Sequence, residues 1–447
     1  MVSWCKTFVL GLLLGTPFAA ATYSGNACTL APLGEGQDDT DQAMNMAYWL
    51  TRRKMTWDLV EARVDLHGYL NVSTEAEFLL LGLPDTGSRA GTQFKADLPY
   101  WMKPENTYRV IFIQSQASWF VITGHDFTVD AHNTGGIIGN GQYWWSWYGN
   151  GTRIDGDGRP VALTVYRAAR ATIAGFRIEG QPFWCNAIAE SQDVVYDGMY
   201  CNAANADPLY FNQNIVWNTD GIDTFRSDNI SLLNFDITLG DDCIAIKGNS
   251  TNIYANNITC HGGTGIAFGS LGQYYDLYDN VENITIEDVN LIRLDPAIQP
   301  YMRNGVYFKS WTGTTIGFPP AEGGGGPGRT VNATMRNFYL DNVTNPIQLY
   351  QTNSGHPGDA PSEYQFSDLT FVNFTGSAAT NLPPCPGLLF QDINITAPEG
   401  EKAAYNCYNV VSQDGLLGSM MPSVKWLEGE VFVDTDRLKA PGTRPAV

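Results

Sequence analysis

The sequence predicts an all-β protein folded as a right-handed, single-stranded parallel β-helix with a short N-terminal capping helix. Three observations predict this fold. Charged residues make up only 16% of the 447 residues, and 46 glycines indicate a turn-rich chain. Short β-like runs recur between about residues 105 and 380. Acidic motifs in the middle of the chain repeat at a spacing that fits successive coils of a solenoid.

The first 21 residues are predicted to be a secretory signal peptide. Lys6 supplies a positive charge, an apolar run follows at residues 8–14, and Ala19 to Ala21 offer small residues for cleavage. This run is too short to cross a bilayer, which requires ~20 apolar residues. We therefore expect residues 22–447 to form one secreted, extracellular β-helix domain.

The predicted capping helix follows the signal peptide. Asp39 or Thr40 is suited to cap a short amphipathic helix over residues 41–50. A helix at this position is expected to cover the open end of a solenoid, where unpaired strand edges otherwise promote aggregation.

The β-like runs alternate apolar and polar residues, as half-buried strands do. Two intervals between successive runs are 22 and 31 residues, which fits rungs that carry loop insertions. A β-sandwich also contains alternating strands, but it would not place the acidic motifs in register. The clearest runs cover residues 230–237, 252–259, 283–289, 331–340 and 369–374.

The net charge of −20 and the pI of about 4.5 argue against nucleic acid and anionic membranes as partners. A polyanionic substrate would have to meet a local cluster of lysine or arginine. We expect a monomer without a cofactor or a metal ion.

Secretion makes the cysteines and sequons informative. Removal of Cys5 with the signal peptide leaves seven cysteines, so disulfides are expected with one thiol left over. The ten Asn-x-Ser/Thr sequons predict glycosylation, although an asparagine-rich solenoid also contains such triplets by chance. The shortest loops favour the pairs Cys185–Cys201, Cys243–Cys260 and Cys385–Cys407, which leaves Cys28 unpaired.

Three aspartates form the most informative pattern. Asp220 and Asp241 are 21 residues apart, and Thr264 follows after about 22 more. Parallel strands lie ~4.7–4.9 Å apart, so one coil per interval would gather Asp220, Asp241 and Asp242 in one patch. Any one aspartate is more simply a turn cap, but three like charges together raise at least one pKa. Glycosidases obtain a protonated acid and an ionised base in this way, so the pattern predicts a glycan hydrolase.

These motifs resemble the pectin-hydrolysing glycosidase family of polygalacturonases and rhamnogalacturonases, family 28. The resemblance spans roughly residues 35 to 410. It implies that Asp241 is the general acid, that Asp220 and Asp242 hold and deprotonate water, and that the product is inverted. Inversion fits carboxylates ~6.5–9.5 Å apart. The matching segments are Asn218-Thr219-Asp220, Gly240-Asp241-Asp242, Gly263-Thr264-Gly265 with Gly269-Ser270, and Tyr307-Phe308-Lys309.

The resemblance also implies that Asn218 and Lys309 bind the substrate. Two positions depart from the family pattern. Thr264 stands where the family has histidine, with His261 three residues earlier, and both are expected at the substrate. Tyr307 replaces an arginine, which removes a bidentate carboxylate clamp and leaves a ring that is able to stack on a sugar.

The segment at 269–274 is similar to that of the exo-acting fungal members of this family. The chain is therefore predicted to hydrolyse terminal α-glycosidic bonds at galacturonan or rhamnogalacturonan ends. The alternatives are an α-L-rhamnosidase that acts on terminal rhamnose, a pectate lyase that requires calcium and an arginine base, and a non-catalytic glycan-binding β-helix.

Overall fold

The computed structural model describes residues 98–379 except for residues 100, 112, 114–116, 148–156, 320–321 and 354–357. On either side of that range it describes the backbone of short strands alone. The predicted signal peptide and the predicted capping helix lie outside the described residues. In the part of the chain that is described, no helix is long and apolar enough to span a membrane.

The described chain consists almost entirely of strands. A short helix, α1, covers Gly141–Trp147, residues 98, 99 and 101 are also helical, and single 3₁₀ turns cover Pro104–Asn106 and Pro208–Tyr210. The strands before residue 200 are β1 (Thr22–Ser24), β2 (Ala27–Leu30), β3 (Met55–Val60), β4 (Arg63–Leu66), β5 (Tyr69–Asn71), β6 (Ser118–Asp130), β7 (Gly136–Ile138), β8 (Val161–Ala174), β9 (Arg177–Glu179), β10 (Asn186–Ala189) and β11 (Gln192–Asp197). The later strands are β12 (Tyr200–Asn202), β13 (Ile222–Phe225), β14 (Asp228–Thr238), β15 (Asp242–Ile246), β16 (Thr251–His261), β17 (Gly265–Leu271), β18 (Asp279–Ile292), β19 (Asn304–Trp311), β20 (Gly328–Val343), β21 (Asn345–Asn353), β22 (Tyr364–Ala378), β23 (Pro384–Cys385), β24 (Leu389–Gln391), β25 (Asn394–Thr396), β26 (Ala404–Cys407) and β27 (Ser419–Met420).

These strands stack in register on three faces, and nearly all pairs are parallel. The first face consists of β3, β6, β8, β10, β13, β15, β17, β19 and β21. The long strands, such as β14 and β16, bend and contribute to both the second and the third face. Only β1 and β2 pair in an antiparallel manner among the named strands. This arrangement is a parallel β-helix, which confirms the predicted fold class.

The core lies inside the three faces and is built from stacks of like side chains. On the first face Ile222, Ile244, Ile266 and Val306 follow one another in register, and each is fully buried. Burying such a side chain contributes ~1.5–3 kcal/mol. Residues between them on the same strands face outward, so the alternation predicted from sequence also determines which side chains reach the outer surface of the first face.

The corners between faces are occupied by asparagines in the left-handed region. Asn252, Asn283 and Asn332 have φ of 54°, 60° and 57°. Their amides form a ladder, because Asn332 Nδ2 donates to Asn283 Oδ1 (2.8 Å) and Asn283 Nδ2 donates to Asn252 Oδ1 (3.0 Å). Asparagine tolerates this conformation better than other residues with a side chain. Several predicted sequons, including those at Asn283 and Asn332, are therefore members of a structural ladder.

Two of the three predicted disulfides are formed. Cys185 is bonded to Cys201 and Cys243 to Cys260, with Cα–Cα distances of 6.4 and 6.0 Å. For the third pair, Cys385 lies opposite Cys407 in the backbone register of β23 and β26, and the side chains lie outside the described residues. The pairing state of Cys28 is outside them too.

Candidate active site

The three predicted aspartates meet at the start of first-face strands. Asp220 lies two residues before β13, and Asp241 and Asp242 lie at the start of β15. One carboxylate oxygen from each lies within 4.8 Å of the others, and all three side chains are buried. The residue spacing therefore predicted their proximity. This is a distance between single oxygens, and the ~6.5–9.5 Å expected for an inverting pair is a distance between whole carboxyl groups, so that expectation stays a prediction.

Asp242 is the most heavily hydrogen-bonded of the three. Its Oδ1 accepts hydrogen bonds from the hydroxyls of Thr264 and Tyr307. Its Oδ2 lies 3.2 Å from Lys309 Nζ, which is also 3.0 Å from the Tyr307 hydroxyl. Three residues predicted to bind the substrate are thus gathered on one carboxylate.

These contacts determine the charge of Asp242. Burial acts to raise its pKa, but the positive charges of Lys309 and Lys247 act in the opposite direction. Together with the hydrogen bonds from Thr264 and Tyr307, they hold the pKa of Asp242 below its usual value. Asp242 is therefore ionised and suited to the role of a base.

Asp241 is oriented by the residue that precedes the first acidic motif. The backbone N–H of Asn218 donates to Asp241 Oδ2 at 3.1 Å, and its side-chain amide lies 3.4 Å from the same oxygen. The Thr264 hydroxyl lies 3.3 Å from Asp241 Oδ1. Asn218 is in turn held by Arg159, whose NH2 group donates to Asn218 Oδ1 at 2.9 Å. Arg159 is not among the residues predicted to form the site, and its contact with Asn218 could not be predicted from spacing.

Asp220 has the opposite electrostatic environment from Asp242. Burial raises its pKa well above the usual value, and the negative charges of Asp223, Asp241 and Asp242 add to this shift. Its Oδ1 is buried and has no hydrogen-bond partner among the described residues. The site therefore combines a carboxyl that favours the protonated form with one that is held ionised.

A buried ion pair beside the aspartates was not predicted from the sequence. Lys247 Nζ lies 2.9 Å from Asp223 Oδ1, and the lysine packs over the ring of Trp184. Burial raises the pKa of Asp223 to about 7, and the charge of Lys247 opposes that shift. The sequence feature that could have indicated this pair is a charged residue at an outward position in β13 and another just after β15, in Ile222-Asp223-Thr224 and Ile246-Lys247.

Two alanines on the outer side of the first face leave space for the long side chains of the site. On the outer side of the first face, Asp223 is followed in register by Ala245, Ala267 and Tyr307. The two alanines and Tyr307 form a small buried cluster against which Tyr350 packs. Tyr350 is in register with Lys309 and was also missed in the sequence.

His261 is the predicted site residue that the structure does not bring to the aspartates. It ends β16, and its Nε2 lies 3.0 Å from Asp236 Oδ1. Thr264, three residues later, makes the contacts with Asp241 and Asp242 instead. The displacement arises because the two residues are separated by the turn that leads into β17.

The first face is covered on the rungs that precede the aspartates. Ala187 and Ala189 of β10 and Phe225 of β13 occupy outward positions but are buried. They form an apolar cluster with Ile111, Ile113, Val161, Phe183 and Trp184. Ala187 is in register with Asp223, so this cluster lies next to the ion pair on the outer side of the first face.

Three clustered carboxylates are also a possible cation site, since hard cations prefer oxygen ligands. Here, however, Asp242 already accepts hydrogen bonds from Thr264, Tyr307 and Lys309. The ammonium group of Lys309 also places a positive charge beside the carboxylates. Calcium requires 6–8 oxygen ligands, which this mixed environment does not favour. The donor set therefore fits proton transfer better than a metal ion.

Comparison with known proteins identifies the family. The chain belongs to the glycosyl hydrolases family 28, whose profile matches residues 102–415, and the protein is accordingly a glycoside hydrolase. A similar protein is the putative galacturan 1,4-alpha-galacturonidase A of Aspergillus niger, which is 36% identical over 439 residues, covering 87% of this chain and 93% of the relative. Alpha-L-rhamnosidase rgxB of the same species is 30% identical and covers 73% of this chain and 74% of the relative.

The fold is shared with solved structures. The endo-xylogalacturonan hydrolase from Aspergillus tubingensis superposes with a TM-score of 0.61 at 19% identity. The match covers 89% of this chain and all of that one. At this identity the similarity establishes the β-helix alone.

Proposed function

We propose that this protein is an exo-acting, inverting hydrolase of terminal α-glycosidic bonds at the ends of pectic chains. The observation that carries the proposal is the buried group of three aspartates, in which Asp242 is held ionised and Asp220 favours its proton. Family membership and the galacturonidase name of the relative from Aspergillus niger support a pectic substrate. We expect the apolar cluster beside Asp223 to restrict the site to a chain end, which is what exo action requires.

Asp241 is proposed as the general acid, as the resemblance implies. Asp242 is proposed as the base that deprotonates water, since Lys309 and two hydroxyls keep it ionised. Asp220 is assigned to holding that water, because its buried Oδ1 lacks a partner among the residues described. The raised pKa of Asp220 also makes it the rival candidate for the acid.

Leaving-group dependence separates these two candidates. An acid protonates the departing oxygen, so its loss matters little when the leaving group is already a weak base. We expect Asp241→Asn to lose about 10²–10⁴-fold in kcat on a pectic oligosaccharide. The loss should be far smaller on an aryl glycoside with a nitrophenolate leaving group. Asp220→Asn should lose activity on both substrates alike, and the reverse pattern would transfer the acid role to Asp220.

The stereochemical outcome tests inversion directly. With nearest carboxylate oxygens within 4.8 Å, the separation by itself does not argue for inversion. The proposal instead rests on family membership and on the ionised Asp242 as a base for water. Proton NMR of the first-formed sugar should show the anomer opposite to that of the substrate linkage.

The alternatives predict different products. An α-L-rhamnosidase, the activity named for the relative rgxB, would release rhamnose. A pectate lyase would produce an unsaturated product that absorbs ultraviolet light, and chelators would stop it. A glycan-binding solenoid would bind without turnover. We expect hydrolysis that is unchanged by EDTA, without ultraviolet-absorbing product, by a secreted monomer that has lost residues 1–21.

A further inference from the structure

Two long connecting segments flank the short turns that lead into β15 and β17. Residues 239–241 join β14 to β15, and residues 262–264 join β16 to β17. In contrast, residues 203–221 connect β12 to β13, and residues 293–303 connect β18 to β19. The long segments therefore lie on the rungs before and after the two short turns. We call these two long segments together the bridge.

The two halves of the bridge contact each other and pack on the short turns. Gln299 Nε2 donates to Asn214 Oδ1 at 2.9 Å, and both side chains are buried. A β-carbon on Gly240 would lie 2.8 Å from Asn214 Oδ1, and one on Gly262 would lie 2.6 Å from Gln299 Cγ. Breaking a buried hydrogen bond leaves a polar group unsatisfied, which is costly. The bridge is therefore a built wall over the turns that precede β15 and β17.

An aromatic pair belongs to this wall. The ring centroids of Trp217 and Tyr301 lie 5.8 Å apart, and the rings are tilted by 58°. The carbonyl of Trp217 accepts a hydrogen bond from the buried Arg159 at 2.8 Å. The backbone N–H of Tyr301 donates to Gln299 Oε1 at 2.9 Å, and Arg303 packs over the Tyr301 ring at 4.3 Å. One residue from each half of the bridge is thus held against the other.

The pair presents both ring surface and polar groups to solvent. Trp217 and Tyr301 are only half-buried. Neither Trp217 Nε1 nor the Tyr301 hydroxyl forms a hydrogen bond within the described residues, and both atoms reach solvent. Buried indole and phenol groups usually find a hydrogen-bond partner in the protein. Here the partner has to come from outside it.

The bridge holds the pair next to the proposed acid from two directions. The N–H of the peptide group between Trp217 and Asn218 donates to Asp241 Oδ2 at 3.1 Å. The Tyr301 carbonyl accepts the N–H of Gly263 at 2.9 Å. A β-carbon on Gly263 would lie 2.4 Å from the carbonyl oxygen of Asp241. Both aromatic residues are therefore anchored on backbone that contacts Asp241.

Building on the proposed hydrolase function, we propose that Trp217 and Tyr301 bind the departing sugar, the ring that leaves with the rest of the pectic chain. In an inverting reaction the acid protonates the leaving oxygen, and the base activates water on the opposite face of the sugar. A surface attached to the acid therefore faces the departing sugar. A sugar ring has an apolar C–H face and a rim of hydroxyls, which match the aromatic rings and their two accessible polar groups.

Glycosyl fluorides separate this contact from catalysis in general, because their leaving group carries no ring. The substrates are trigalacturonate and a rhamnogalacturonan trisaccharide that ends in rhamnose, each compared with the α-fluoride of its own terminal sugar. On the trisaccharide that the wild type hydrolyses, Trp217→Ala should lower kcat/KM about 10- to 100-fold, the effect of exposing one large apolar side chain. On the matching fluoride the fall should be much smaller.

The two proposals fail in different ways. Equal falls on the trisaccharide and on the fluoride would overturn the inference but leave the hydrolase function intact. A wild type that hydrolyses neither trisaccharide would overturn the hydrolase function itself.

Variants that keep a ring distinguish sugar contact from the shape of the bridge. Trp217→Phe should retain more activity on the trisaccharide than Trp217→Ala, because it preserves apolar ring surface. Tyr301→Ala should show the same selective loss as Trp217→Ala, and the losses of the double variant should not add, since both rings contact one sugar. A folded Trp217→Phe variant as impaired as Trp217→Ala would overturn the inference.

Tyr200 offers a matched control outside the first face. It lies in β12, is half-buried, and its ring packs under Arg177 at 3.7 Å. Tyr200→Ala removes a comparable ring and should leave the ratio of trisaccharide to fluoride hydrolysis unchanged. Circular dichroism at the assay temperature checks that each variant is folded. A change of that ratio in Tyr200→Ala as large as in Trp217→Ala would overturn the inference, because the ratio would then report on stability.

Discussion

A β-carbon on Gly269 would lie 2.5 Å from Cγ of Lys309. Gly269 lies in β17, and Lys309 lies in β19 on the next rung of the first face. Real β-carbons do not approach other atoms this closely, so the lysine side chain passes through space that any side chain at residue 269 would occupy. A glycine within a strand is therefore one reason that the ammonium of Lys309 reaches Asp242.

Gly269→Ala should displace Lys309 and weaken its contact with Asp242. Because the charge of Lys309 lowers the pKa of Asp242, its displacement should raise that pKa. If Asp242 acts as the ionised base, the acidic limb of the profile of kcat/KM against pH should move to higher pH. We expect a loss of about 10- to 100-fold in kcat/KM, the worth of one charge-assisted hydrogen bond.

Gly358→Ala is the matched control for backbone strain. Gly358 has φ of +94°, and a β-carbon there would meet nothing within 4 Å. Alanine in the left-handed region costs roughly 1–2 kcal/mol, so both variants should be destabilised in urea. Only Gly269→Ala should shift the pH profile, and a similar shift in the control would contradict the steric explanation.

The fold and the grouping of the aspartates were predictable because parallel strands repeat in register. Asp220 and Asp241 are one coil apart, and that interval alone places them together. The pair Asp223–Lys247 was not predictable, because it is diagonal. Asp223 is in register with Ala245, and Lys247 lies two residues further on. A diagonal contact depends on side-chain direction as well as on the length of the coil.

The apolar cluster on the outer side of the first face was also beyond sequence reasoning. Ile113 lies in a connecting segment, yet it packs with Trp184 and Phe225 on rungs far along the chain. Alternating patterns show which residues point outward, but they do not show which of these a distant loop will cover. The prediction of exo action therefore depended on resemblance, and the apolar cluster is the structural feature that the proposal of exo action adds to it.

The buried carboxyl of Asp279 should make stability depend on pH. Burial raises its pKa from 3.8 to about 6, although the hydrogen bond from the Gly272 N–H (2.9 Å) opposes the shift. A raised pKa means that the folded state holds the proton more tightly than the unfolded state. Its stabilising contribution is full below pH 3.8 and is lost as the pH rises to about 6. The change amounts to roughly 3 kcal/mol at most.

Asp279→Asn should remove this contribution to the pH dependence. The amide oxygen can still accept the hydrogen bond from Gly272, but it does not titrate. Free energies of unfolding in urea, measured at pH 4, 5, 6 and 7, should fall less steeply with pH for the variant than for the wild type. Parallel curves would show that Asp279 titrates in the folded state as it does in the unfolded chain.

The corner ladders should contribute measurably to stability. Asn337 has φ of 59°, donates to Asp288 at 2.9 Å and accepts from Asn373 at 2.9 Å. It is not itself part of a sequon, so the substitution removes no predicted glycosylation site. We expect Asn337→Ala to cost roughly 2–3 kcal/mol, combining left-handed strain with lost hydrogen bonds.

Asn337→Gly separates the two contributions. Glycine adopts the left-handed conformation without steric cost, so this variant loses the ladder hydrogen bonds and gains some unfolded-state entropy. Urea unfolding should therefore rank wild type above Asn337→Gly and Asn337→Gly above Asn337→Ala. If alanine proved as stable as glycine, the left-handed corner would not be the reason for asparagine at this position.

The last prediction concerns Arg159, which acts on the proposed acid through Asn218. Its guanidinium is almost fully buried, bonds both oxygens of Asp157 at 2.7 and 3.0 Å, and donates to Asn218 Oδ1 at 2.9 Å. Arg159→Lys keeps the charge but loses the planar fork that makes these bonds together. We expect kcat to fall about 10- to 100-fold with KM nearly unchanged, because Asp241 loses its fixed orientation.

Asn218→Ala should cause a similar fall in kcat. The double variant should lose little more than either single variant, since both substitutions act through the same chain of contacts to Asp241. Kinetics are to be measured at a temperature where circular dichroism shows all three variants folded, and additive losses in kcat would restrict Arg159 to a role in stability.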